Sequence, residues 1–210
     1  MVHLHVRDRE GNLTPDMTLL EETLAMIRRD SDIVIEVSTG GVSNLTIEER
    51  CAPLYSDLVE ACSLNVGSTN LGRSVYCNPI DDVEYCIREM LKQKKTPEVE
   101  TFEIGHTWAM EQLMKKYEFA DPVLFSIVLG HEGEAPATPQ ALAAMIQMIP
   151  AGTVWGITQD VYKRQVLLSL NIIYVVNHLG IHYYFFAMLA SVVVAVIISM
   201  RLARGISVPI

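Results

Sequence analysis

Six short apolar runs, separated by five stretches of helical periodicity, occupy residues 1–159 and leave few ways to fold them. The runs are residues 2–6, "DIVIEVSTGG", "ACSLNVGSTN", "PEVETFE", "PVLFSIVLG" and "GTVWGIT". Apolar residues three and four apart predict helices over residues 17–29, 47–60, 83–94, 106–116 and 139–148. Strict alternation of nearly continuous apolar strands with helices predicts an α/β fold, its parallel sheet buried on both faces. Polar and glycine-rich residues gather at the C-terminal ends of the strands, at positions 5–8, 38–41, 65–68 and 130–131. In a (β/α) barrel those ends form the active-site face. An open doubly wound sheet is the alternative, but no GxGxxG follows the first strand. Six strands are also two short of a closed barrel.

Charge divides the 210 residues into two unlike parts. Residues 1–159 carry 12 Lys and Arg against 24 Asp and Glu, an acidic balance with nothing to neutralise phosphates, which excludes nucleic-acid binding. From Val166 to Met200 no residue is charged, and Arg201 and Arg204 follow. A transmembrane helix needs about 20 apolar residues, so residues 166–210 are expected to be a hydrophobic, membrane-type helical segment with its arginines at the cytoplasmic end. The four cysteines, Cys51, Cys62, Cys77 and Cys86, form no CxxC pair and read as reduced thiols of a cytoplasmic domain.

The chemistry-bearing residues sit where the strands end. His3 and His5 are two apart on a strand and share a face, so two imidazoles could hold a Zn²⁺ ion. Two ligands do not complete a catalytic zinc site, which uses three and an open position. "STGG" offers hydroxyls and free backbone N–H groups to a substrate carboxylate, and is equally an ordinary strand-to-helix turn. Glu98 and Glu100 also share a face, and a carboxylate inside a parallel sheet calls for a buried polar role. His106 and His131 follow strands, where loop histidines are usually solvated.

Taken in order, "VHLHVRDREGNLTPD", "IEVSTGG", "SLNVGSTN", "PEVETFEIGH", "PVLFSIVLGHEGEAPATPQAL" and "IPAGTVWGI" resemble the β-keto acid cleavage enzymes, the 3-keto-5-aminohexanoate cleavage family, over residues 1–158. The resemblance implies a Zn²⁺-dependent (β/α)₈ barrel enzyme, cytoplasmic and homo-oligomeric, of the kind found in lysine degradation. It would condense a small β-keto acid with acetyl-CoA and cleave the adduct to acetoacetate and a new acyl-CoA. The family's zinc histidines correspond to His3 and His5, and its substrate-binding serine and glycine to Ser38 and Gly41. A hydroxyl residue on the next strand corresponds to Ser63, and a glutamate beside the substrate to Glu100. Ser63 and Glu100 are thus the expected catalytic residues, with Ser38, Gly41 and Ser63 binding substrate.

The departures from the family shape a second set of expectations. The family's first strand and helix, and its last strand with the third zinc ligand, have no counterpart in this sequence. The chain therefore looks like strands two to seven of an incomplete barrel and is expected to be inactive as it stands. "DVYKRQ" resembles translated sequencing-adapter sequence, so residues 160–165 read as an artefactual junction between the 1–159 barrel domain and the tail. The tail weakly resembles membrane proteins of the GtrA type. Two other readings are an amidohydrolase-type metal hydrolase, which needs a bridging lysine on an inner strand, and a membrane-tethered, non-catalytic domain.

Overall fold

A computed structural model of the chain describes residues 1–159. In chain order the strands are β1 (Val2–Leu4), β2 (Ile35–Val37), β3 (Ala61–Asn65), β4 (Thr69–Leu71), β5 (Ser74–Tyr76), β6 (Thr96–Thr101), β7 (Leu124–Leu129) and β8 (Val154–Gln159). The helices are α1 (Thr18–Asp30), α2 (Ile47–Arg50), α3 (Ile80–Lys92), α4 (Ile104–Lys116) and α5 (Pro139–Met148). Six strands form one sheet in the order β1-β2-β3-β6-β7-β8, so successive crossover strands lie side by side. The registered pairs β1–β2, β2–β3, β3–β6 and β6–β7 are parallel. Among the described residues β1 and β8 are the edges of this α/β sheet.

The strands are not apolar throughout, as the sequence suggested, but divide by parity. Ile35, Val37, Cys62, Leu64, Val99 and Phe125 join Leu24, Ile87, Met90 and Met110 of the helices in the main core. The alternate positions, Glu36, Ser63, Asn65 and Ser126, are buried and polar. Period two places them all on the other face of the sheet. The prediction of burial on both faces holds, yet one of those faces is lined with chemistry.

Local chemistry explains the boundaries. α5 spans the expected residues because Thr138 caps it, accepting from the Ala141 N–H at 3.2 Å, and Pro139 occupies the first turn. The helix expected over residues 47–60 is a single capped turn instead. Thr46 and Glu49 form its capping box, and after Arg50 the chain tightens into a 3₁₀ turn over Ala52–Tyr55. Pro53 accounts for this, since it lacks an N–H and its ring crowds the carbonyl four residues back. The first strand stops at Leu4, and the chain after it folds back, with Arg7 bridged to Leu13 and the Asn12 N–H donating to Asp8 Oδ1 at 2.8 Å. The β4–β5 hairpin is an addition that the sequence did not reveal. Its strands are three residues each, too short for alternation to register, and only Gly72 at φ +64° marks the turn.

No helix among the described residues is long and apolar enough to cross a membrane. The expected junction at 160–165 and the hydrophobic segment at 166–210 lie outside the described residues.

Candidate active site

The polar face of the sheet carries a chain of side chains reaching across it from β1 to β8. Register sets His3 of β1 opposite Glu36 of β2, and His3 Nδ1 meets Glu36 Oε1 at 2.8 Å. Glu36 is wholly buried, and its Oε2 has no donor unless the neighbouring Glu98 carboxyl keeps its proton. Burial, and then the Glu36 carboxylate, push Glu98 up to about 8, so that proton is retained at neutral pH. Ser126 hydrogen-bonds Glu98 and, through Oγ, shares a 2.6 Å hydrogen bond with Thr158 Oγ1. Glu36 thus stays ionised toward the imidazole, and its hydrogen bond is the main force raising the pKa of His3.

His5 projects beside His3, with ring centroids 5.1 Å apart. Burial, followed by the His3 and Arg7 charges, lowers its pKa and holds it neutral, while one ring nitrogen donates to the Gly40 carbonyl. Each imidazole therefore uses one nitrogen for orientation and leaves the other for a ligand, as metal-binding histidines do. A carboxylate on the far nitrogen of His3 fixes both its tautomer and its ring plane. Among the described residues no third His, Cys, Asp or Glu completes a metal-binding group with these two. Among the described residues the pair therefore offers two donors, one short of the three protein ligands a catalytic zinc uses.

Of the other residues singled out in the sequence, Ser38 and Gly41 follow β2, Ser63 lies on β3 and Glu100 on β6. Ser38, at the end of β2, is buried; its Oγ donates to the Gly40 carbonyl at 3.0 Å. Gly41 takes φ +147°, where an L side chain is strained, and an added Cβ would press within 2.8 Å of Leu13 Cδ1. Ser63 is fully buried on β3, and its Oγ has no hydrogen-bond partner, a free hydroxyl on the polar face. Glu100 lies opposite Asn65, whose Nδ2 donates to Glu100 Oε2 at 2.6 Å. Burial raises its pKa, and the Asn65 donor works against that rise.

Several members of the site were not singled out from sequence. Glu36 looked like one polar interruption in "DIVIEV", though its place one residue before the core-facing Val37 marks it as inward-facing. Arg50 reads as an ordinary helix-end cation, yet it is buried beneath Gly40, with Nε donating to the Thr39 carbonyl at 2.9 Å. His106 is not solvated, as expected, but buried. It accepts from the Phe102 N–H at Nδ1 and is bound to the Ser68 carbonyl, and burial lowers its pKa. The described strands carry no lysine, so the bridging residue of the amidohydrolase reading is not among them.

A parallel α/β sheet thus carries an oriented imidazole pair, buried carboxyls and one unpartnered hydroxyl on its polar face, groups of the kind that acid–base chemistry uses. The sequence profile of the beta-keto acid cleavage enzymes matches residues 1–168, and the chain belongs to that family, as its six ordered motifs led us to expect. It is 31% identical over 153 residues to a 3-keto-5-aminohexanoate cleavage enzyme of Acetoanaerobium sticklandii, covering 72% of this chain and 56% of that protein. It is 28% identical over 170 residues to a 3,5-dioxohexanoate:acetyl-CoA acetone transferase of Paraburkholderia graminis, covering 69% of this chain and 55% of that one. The chain thus spans about half the length of the curated relatives it matches. The fold is shared with ObcA bound to oxaloacetate, with a TM-score of 0.62 at 15% identity, covering 83% of this chain and 50% of ObcA.

Proposed function

We propose that the described residues are the zinc-and-carboxylate half of a cytoplasmic, homo-oligomeric β-keto acid cleavage enzyme, built on part of a (β/α)₈ barrel. The reaction exchanges acyl groups: R–CO–CH₂–COO⁻ and CH₃–CO–SCoA give CH₃–CO–CH₂–COO⁻ and R–CO–SCoA. His3 and His5 would hold Zn²⁺, which when bound supplies a Lewis acid for the keto-acid oxygens. Ser38 and the backbone N–H of Gly41 bind the substrate carboxylate. The unpartnered Ser63 hydroxyl donates to a substrate oxygen, and Glu100, held by Asn65, lies beside the reacting carbons. The protonated Glu98 keeps Glu36 charged toward His3, so the pair orients the imidazole without taking part in bond changes.

The observation that carries this reading is the buried Glu36 carboxylate on His3 Nδ1, which leaves the other nitrogen of His3 aimed for a ligand. The test is a competition titration of the full chain with a chromogenic zinc chelator. The native chain should take up one zinc, and His3→Ala and His5→Ala should each weaken binding at least about tenfold, since each removes one of two protein donors. Equal affinity in native and variant chains refutes the site.

A further inference from the structure

Among the described residues Arg50 is a buried cation with no anion paired to it. Only 8% of its surface is exposed, and among the described residues no carboxylate forms an ion pair with it. Its guanidinium is held by neutral acceptors alone. Nε donates to the Thr39 carbonyl at 2.9 Å and Nη1 to the Cys77 carbonyl at 3.1 Å; Nη2 donates to the Tyr76 hydroxyl at 3.1 Å and to Asn78 Oδ1 at 2.5 Å. The ring of Tyr76 also lies 5.1 Å from the guanidinium carbon. Four contacts from two directions fix the plane of the group, but none cancels its charge, and a charge fixed away from water keeps a strong local field.

That field opens onto the substrate-binding loop. Arg50 lines a small cleft with His5, Leu13, Thr14, Ser38 and Gly40. Glu49 reaches the same cleft, but its Oε2 accepts the Thr46 N–H of the capping box at 2.8 Å. Gly40 has no room for a side chain: an added Cβ would collide with the Tyr76 hydroxyl and stand 2.8 Å from Arg50 Nε. The loop backbone is therefore laid directly on the guanidinium, and its Gly40 N–H donates to Ser38 Oγ at 3.3 Å, so the positive charge lies behind the loop that carries Ser38.

We propose that Arg50 is the positioning residue for the carboxylate of the β-keto acid, acting through the Thr39–Gly40 backbone rather than by direct contact. This rests on the proposed β-keto acid reading and adds the source of the cleft's selectivity for an acid over its neutral analogues. Hydroxyl and amide donors already bind a carboxylate more strongly than a carboxamide, and a fixed cation behind them widens that preference.

The experiment compares acetoacetate with acetoacetamide, the same skeleton without the charge, binding to the zinc-loaded full chain by isothermal titration calorimetry. The native chain should prefer the acid by about tenfold or more, in line with the strength of charge-assisted hydrogen bonds. Arg50→Met should narrow that preference several-fold by weakening acetoacetate while leaving acetoacetamide within about twofold, and Arg50→Lys should recover part of it. An equal loss on both compounds in Arg50→Met would show that the arginine only props the loop, and the proposal fails. Should Arg50→Met not fold, the Arg50→Lys chain and the native preference still decide: a native chain that binds both compounds alike overturns the role of Arg50. A native chain that binds neither overturns the reading of the site itself.

Discussion

Glu98→Gln should stabilise the chain at high pH and leave it nearly unchanged at low pH. In the native chain Glu98 lies between the ionised Glu36 and Ser126, and burial together with Glu36 lifts it from 4.5 to about 8. Between those values the folded chain holds a proton that the unfolded chain has released. Stability is therefore fully present below about 4.5 and is lost as pH rises through about 8. At about 1.36 kcal/mol per pH unit the ceiling on this loss is ~5 kcal/mol. Partial access of water to Glu98 brings the expected effect to roughly 2 kcal/mol. Glutamine keeps an N–H donor for Glu36 and cannot ionise, so its profile loses this component. His3, whose pKa Glu36 raises, contributes in the same sense to both chains: its stability is present below 6.5 and declines as pH passes its raised value. The difference between the two chains isolates Glu98. Urea unfolding in EDTA, followed by tryptophan fluorescence at pH 4.5, 7 and 9, should show midpoints that agree at the lowest pH. They should separate by about 1 M at the highest, for a slope of ~2 kcal/mol per molar urea. Parallel profiles across the range would refute the shared proton and, with it, the account of how Glu36 stays charged.

Two further perturbations probe the same face. Glu36→Ala removes the acceptor that fixes His3, and zinc affinity measured by chelator competition should fall roughly 10–100-fold although no proposed ligand is touched; an unchanged affinity would mean His3 is oriented by something else. Gly40→Ala forces a methyl against Tyr76 and Arg50 and should destabilise the chain by about 1–3 kcal/mol in thermal unfolding, and a melting temperature within a degree of the native one would contradict the packing described there.

Much of the fold was legible because its signals are local. Six apolar runs and five helical periods gave the strand–helix alternation, and the Thr138–Pro139 start of α5 was readable to the residue. What escaped were features set by one residue or by distant partners. Pro53 cut a helix that periodicity had extended to position 60. The β4–β5 hairpin, at three residues a strand, falls below the length at which alternation can be counted. For the proposed site, His3 and His5 were singled out by their spacing and Ser38, Gly41, Ser63 and Glu100 through the family resemblance, and the sheet register puts His3, Ser63 and Glu100 on one face. Glu36 and Arg50 were not found because their meaning depends on residues 33 positions away in one case and 11 to 28 in the other. A buried glutamate and a solvated one look alike until the strand's parity is known.

That parity also explains why so many acids can share one face. Glu36, Glu98 and Glu100 would repel one another strongly if all were ionised in a buried setting. The structure relieves this unevenly. Glu36 keeps its charge by pairing with His3, Glu98 keeps its proton by facing Glu36, and Glu100 is held above its ordinary range with one amide donor in support. The face therefore carries less negative charge than its carboxyl count implies, and each raised pKa is a latent site for charge. A divalent cation beside His3 and His5 would lower the pKa values of both raised carboxyls and recover the energy that their burial withholds. Binding such a cation should then release protons, more at pH 6 than at pH 9, where Glu98 has already ionised. Calorimetric titrations of zinc in buffers of different ionisation enthalpy measure that release directly, and a release that does not fall with pH would separate the carboxyls from the metal altogether.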